Sequence, residues 1–129
     1  MATTTVPVLA IRFVIDEAGN PEFVKTPEME HKHYKLNFEV ENAPADAYAA
    51  TFILHESYYD PVRTVRPDRD GHLRLSTTSY GDYDVKVHLR TPQGELQLVD
   101  TVTGALKRAR SSMPPGPAVD EAIAYLEER

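Results

Sequence analysis

Two short segments bring together side chains able to do more than fill a core. The first, Phe52-Ile53-Leu54-His55-Glu56-Ser57-Tyr58-Tyr59-Asp60-Pro61, crowds an imidazole, a hydroxyl and two phenols onto one stretch of chain. The second, Ser79-Tyr80-Gly81-Asp82-Tyr83, sets two more phenols around a glycine. Both fall at turn positions, where a core does not demand aromatics. Each residue also has an ordinary use: tyrosine suits half-buried β structure, Ser57 can open a turn, and Tyr83 is assigned to the core. His55, Ser57 and Asp60 are the residue types of a hydrolase, but near neighbours on one strand seldom converge on an oxyanion hole, so no catalysis is expected. His31 and His33 share one side of an extended chain, with Glu28 and Glu30 nearby. Without a supported third ligand they do not define a metal site. No glycine-rich phosphate loop is present, and no cofactor is expected.

The apolar strand ending in Leu54-His55-Glu56-Ser57-Tyr58, the following Pro61 and Arg63, and the later Tyr80-Gly81-Asp82-Tyr83 entering a strand together resemble the signature of the YEATS family, in its prokaryotic branch. The resemblance covers roughly Tyr34 to Leu89. It implies an immunoglobulin-like sandwich that recognises acylated lysine, of acetyl or crotonyl type, through loops at one end. It also implies a ligand-binding set of His55, Ser57, Tyr58, Tyr80 and Gly81. In that set Tyr58 and Tyr80 form two aromatic walls, Ser57 bonds the amide, His55 lines the pocket beside it, and the Tyr80 backbone amide meets the acyl carbonyl. The implied protein is a binding module and not an enzyme. Its implied partner is an acylated-lysine peptide or protein, with a fused or neighbouring effector domain.

Departures from the family pattern are visible too. Many members carry tryptophan at the position of Tyr34 or in the second aromatic group, and this chain has none. An aromatic from an earlier loop falls near Met29 or Glu30, with Phe23 as a substitute. Ser79 stands where glycine commonly precedes the second aromatic. The alternative reading is a scaffold that keeps the fold without acyl recognition and binds proteins through a sheet edge or an apolar stripe around Ile123 and Leu126.

The chemistry of such a slot is sensible in its own right. Acylation turns a strongly hydrated ammonium into a neutral, planar, polarisable group. Aromatic faces hold such a group with about 0.5–1.5 kcal/mol per favourable pair beyond area burial. Unmodified lysine would lose its hydration on entering.

Alternation with a period of two supplies the elements that must position these loops. Leu9, Ile11, Phe13 and Ile15 mark a first strand, ended by Gly19-Asn20-Pro21; Leu36, Phe38 and Val40 mark a second, closed by Asn42-Ala43-Pro44. Ala50, Phe52 and Leu54 line a third, and Leu73 and Leu75 begin another. The alternation is clearest in Tyr83, Val85, Val87 and Leu89, and the turn Thr91-Pro92-Gln93-Gly94 leads to Leu96 and Leu98 as a hairpin. At least six short strands predict an all-β, immunoglobulin-like antiparallel β-sandwich, with a small barrel as the alternative. Beyond Thr101 the period becomes helical at Val102, Ala105, Leu106 and Ala109, although Gly104 weakens that helix. After Met113-Pro114-Pro115-Gly116, a last helix beginning near Pro117 carries Val119, Ala122, Ile123 and Leu126 on one stripe. Residues 1–101 are therefore read as the sandwich and 102–129 as a helical extension packed on it or flanking it.

Composition narrows the partners. The 129 residues, 41% hydrophobic, fill one core. The net charge of −6 repels a phosphate backbone, and the cluster Arg63, Arg66 and Arg69 is interleaved with Asp60, Asp68 and Asp70, so no nucleic-acid binding is expected. The absence of cysteine and of any long apolar run predicts a cytoplasmic chain with no membrane anchor.

Overall fold

The computed structural model describes residues 6–128. Eight strands form among them: β1 (Val8–Phe13), β2 (Phe23–Val24), β3 (His33–Glu41), β4 (Ala49–Ile53), β5 (Val62–Val65), β6 (Arg74–Ser79), β7 (Asp84–Thr91) and β8 (Gly94–Thr101). Two helices follow, α1 (Val102–Arg108) and α2 (Pro117–Glu127), separated by a single 3-10 turn at Arg110–Ser112.

The strands make two antiparallel sheets stacked as an immunoglobulin-like sandwich, not a closed barrel. In one sheet, β3 pairs with β1 from Leu36 to Glu41, with β2 at His33 and Tyr34, and with β6 from Tyr34 to Glu39. The other runs β5-β4-β7-β8. The expected alternation sends Leu9, Ile11 and Phe13, then Leu36, Phe38 and Val40, against Ala50, Phe52, Leu54, Val85, Val87 and Leu89, all in one buried cluster. Phe38 and Phe52 meet across the sheets edge to face, with ring centroids 6.2 Å apart.

Some boundaries differ from the sequence reading. Ile15 lies beyond β1, in an isolated bridge to Pro21, because Asp16 Oδ1 accepts from the Ala18 and Asn20 amides and turns the chain there. Leu73 is buried just before β6. The β7–β8 hairpin forms as expected with Pro92 and Gln93 at its tip. Leu98 packs against the core, while Leu96, on the edge strand, stays exposed.

Both helices share the sandwich core. Val102, Ala105, Leu106, Val119, Ala122, Ile123 and Leu126 all join the central cluster. The stripe around Ile123 and Leu126 is therefore covered by this chain itself and is not presented to a partner, which corrects that part of the scaffold alternative. Gly104, read as a weakness of α1, has a packing reason: a Cβ there would lie 2.7 Å from Thr101 Oγ1 and 2.8 Å from Asp100 Oδ1. Thr101 Oγ1 is the acceptor that caps the helix, taking the Gly104 amide at 2.9 Å. Arg108 pairs with Asp100 and also donates to the Leu9 carbonyl at 3.2 Å, tying α1 to β1. No helix among the described residues is long and apolar enough to cross a membrane.

Candidate functional site

The two aromatic segments are the β4–β5 and β6–β7 connections, and they emerge at the same end of the sandwich. Between them lies a cleft of about 390 Å³ lined by His33, His55, Ser57, Tyr58, Tyr59, Thr78, Ser79, Tyr80, Gly81, Asp82 and Tyr83. All five residues of the predicted set, His55, Ser57, Tyr58, Tyr80 and Gly81, border it.

The first loop is closed by its own side chains. His55 Nδ1 accepts the Ser57 amide at 3.1 Å and lies 2.8 Å from Ser57 Oγ. Accepting there corresponds to the tautomer that carries its proton on Nε2, whose one in-plane lone pair at Nδ1 faces both the amide and the hydroxyl of Ser57. The Ser57 hydroxyl can share that lone pair as a second donor, an arrangement that keeps its oxygen as an acceptor toward the cleft.

Tyr58 is fixed rather than mobile. Its hydroxyl donates to the Thr78 carbonyl at 2.5 Å and lies 2.8 Å from the Tyr83 hydroxyl. Because Tyr58 has given away its only proton, Tyr83 must donate to Tyr58. The chain of bonds therefore runs from Tyr83 through Tyr58 to the β6 backbone. Burial pushes both phenols above the ordinary tyrosine range, and for Tyr83 the neighbouring Tyr58 adds to the effect. The Arg63 guanidinium lies 5.5 Å from the centre of the Tyr58 ring while its Nε donates to the Asp60 carbonyl, bracing the loop from behind.

The second loop begins where the β3–β6 ladder ends, at the pair Tyr34 and Ser79. Ser79 does not need the conformational freedom of glycine: its buried hydroxyl donates to the Gly81 carbonyl at 2.6 Å and accepts the Gly81 amide at 3.3 Å. Asp82 accepts both the amide and the hydroxyl of Thr103, at 3.0 and 2.8 Å, and the Tyr83 carbonyl accepts the Val102 amide. The loop is thereby clamped to the first turn of α1.

Tyr80 remains 41% exposed, and its companions differ from the sequence reading. His31 stacks on it with centroids 5.5 Å apart and planes 10° from parallel, and His33 lies at 5.0 Å. Neither Met29 nor Glu30 lines the cleft. Phe23, the expected substitute, packs instead on Tyr34 at 5.6 Å. Tyr34 is itself a core residue between Phe13 and Tyr125. Tyr83, assigned to the core, packs against the core and also faces the cleft. Sequence reasoning thus missed His33, Tyr59 and the cleft-facing side of Tyr83. The only signal for His33 was its period-two relation to His31, which had suggested a metal pair. Among the described residues, no group of three or more His, Cys, Asp or Glu side chains could hold a metal ion.

Comparison with known proteins gives a consistent picture. The sequence model of the prokaryotic YEATS domain matches residues 33–103, which spans both loops and every strand from β3 to β8. A search of curated proteins gave no match. Among solved structures, the fold is similar to that of the yeast AF-9 homolog protein Yaf9, with a TM-score of 0.50 and 19% identity over 75% of this chain and 67% of that one. It is also similar to the Yaf9 YEATS domain bound to H3K27ac, with a TM-score of 0.50 and 17% identity over 92% of this chain and 81% of that one. At such identities the likeness is one of fold. The family follows from the sequence match: this chain belongs to the prokaryotic YEATS domain family.

Proposed function

We propose that this chain is a non-enzymatic reader of acylated lysine, with His55, Ser57, Tyr58, Tyr80 and Gly81 as its binding residues. The observation that carries the reading is the convergence of two loops, distant in sequence, on one cleft that holds all five of these residues. The Ser57 oxygen, beside His55 Nδ1 at the mouth of the first loop, is the acceptor for the N–H of an acylated side chain. The Tyr80 amide, just beyond the last β3–β6 pair, supplies a donor for the acyl carbonyl. Tyr58, held by two hydrogen bonds, and Tyr80, backed by His31, are rigid faces for a flat group. A lysine ammonium would exchange its water for this weakly polar slot at a net cost. The similar fold of Yaf9 is seen bound to H3K27ac, which supports the ligand class.

Hydrolysis fits the geometry less well. Both bonds between His55 and Ser57 use Nδ1, the nitrogen that a Ser-His-Asp site reserves for its orienting carboxylate, and no carboxylate bonds His55 among the described residues. A scaffold role without acyl recognition would have to use a sheet edge, since the helical stripe is covered.

The test is an NMR titration with acetyl-lysine, crotonyl-lysine and unmodified lysine peptides, following the Ser57 and Tyr80 amides. The expected result is saturable shifts with the acylated peptides only, abolished by Tyr80→Ala. Shifts of equal size with unmodified lysine, or none at millimolar peptide, would overturn the reading.

A further inference from the structure

The family match ends at residue 103, so α2 lies wholly beyond it. Even so, α2 reaches back to the site. The Tyr125 hydroxyl on α2 accepts the backbone amide of Lys32 at 2.8 Å, a contact between residues 93 positions apart. That amide sits just outside the β2–β3 ladder, which stops at the pair Val24 and His33. A backbone donor at such a place needs an acceptor from elsewhere, and Tyr125 provides it. The ring of Tyr125 is anchored edge-on to the buried Tyr34 at 5.6 Å, so the hydroxyl is presented from a fixed platform. The Lys32 ammonium reinforces the contact, lying 5.6 Å from the Tyr125 ring and 4.9 Å from that of Phe23.

Lys32 is flanked by His31 and His33, whose rings both rest on Tyr80. Holding the backbone at Lys32 therefore holds the two imidazoles against the exposed aromatic of the cleft. We propose that Tyr125 is a positioning residue: through the Lys32 amide, its hydroxyl fixes the His31–His33 arm on Tyr80 and so sets the shape of that wall. The effect on ligand affinity rests on the reader function proposed above, whereas the effect on the arm does not.

Tyr125→Phe keeps the ring on Tyr34 and removes the hydroxyl that accepts the Lys32 amide. In the free variant the Lys32 amide should exchange with solvent faster, and the ring resonances of His31 and Tyr80 should move, while a thermal melt shows the fold retained. Acetyl-lysine peptide should bind more weakly, by up to roughly fivefold, which is the whole worth of one lost hydrogen bond if all of it is coupled to the wall. Unchanged Lys32 exchange and unchanged ring shifts would overturn the proposal. So would an arm that moves with no change in affinity in a protein that binds the peptide. If the wild type binds no acylated peptide, the reader function fails, and the ring shifts and amide exchange alone decide whether Tyr125 holds the arm.

Discussion

Two groups of aromatic residues in this molecule obey different rules. Between the sheets, Phe38 and Phe52 are fully buried and meet edge to face. At the loop end the aromatics are tyrosines with graded exposure: Tyr58 and Tyr83 are half-buried with their hydroxyls bonded to each other, Tyr80 is 41% exposed, and Tyr59 is fully exposed. A core phenylalanine contributes through area and packing, and nothing else is asked of it. A loop tyrosine must place a polar atom as well as a face, so its position is fixed by hydrogen bonds to particular partners. The interior therefore sets the stability of the fold, and the loop end sets the shape of a surface.

Removing one aromatic from each region separates the two roles. Phe52→Ala should cost about 3–5 kcal/mol in urea unfolding, because it deletes a fully buried ring and leaves a cavity between the sheets. A loss below 1 kcal/mol would mean that the facing sheets close over the gap and that the interior is less rigidly packed than its geometry indicates. Tyr80→Ala should do the opposite. It should change stability by no more than about 0.5 kcal/mol, as expected for an exposed side chain, yet weaken acetyl-lysine peptide binding at least about tenfold, as expected for an exposed aromatic contact. A large stability loss in that variant would move Tyr80 into the structural class.

The same division explains what could be read from the sequence. Interior strands declared themselves by alternation, most plainly Val85, Val87 and Leu89, because a half-buried strand has to repeat every second residue. β5 was invisible: Val62, Arg63, Thr64 and Val65 form an edge strand with no fully buried position, so they carry no apolar rhythm. β2 is too short to have one. At the loop end, the residues carried by the motif could be named in advance, since they lie together in sequence. The partners of Tyr80 could not. His31 and His33 reach it only because β3 and β6 align Tyr34 with Ser79, and that register between distant segments is set by the packing of whole strands. Tyr83 packs against the core as assigned, and its second role, facing the cleft, was hidden for a related reason. It continues the apolar side of β7, but it stands one residue before the strand begins, where its hydroxyl can turn to Tyr58.

The smallest expected effect tests the hydrogen-bonded pair that joins the two regions. Tyr83→Phe keeps the ring against the core and removes the donor to Tyr58, at a cost of about 1 kcal/mol at neutral pH. Its clearer signature is alkaline. Both phenols hold their protons more tightly in the folded protein than at the ordinary value of 10.0, whereas the unfolded chain releases them near that value. Their contribution to stability is therefore complete below pH 10, falls as pH rises above it, and is gone once the folded phenols ionise. Each raised phenol adds up to about 1.4 kcal/mol of stability loss per pH unit in that window. Urea unfolding followed from pH 9 to 11.5 should show a shallower decline for Tyr83→Phe than for the wild type, by about one proton's worth of slope. Equal slopes would show that Tyr83 ionises in the folded state as it does in the unfolded chain, and that its hydroxyl is open to water.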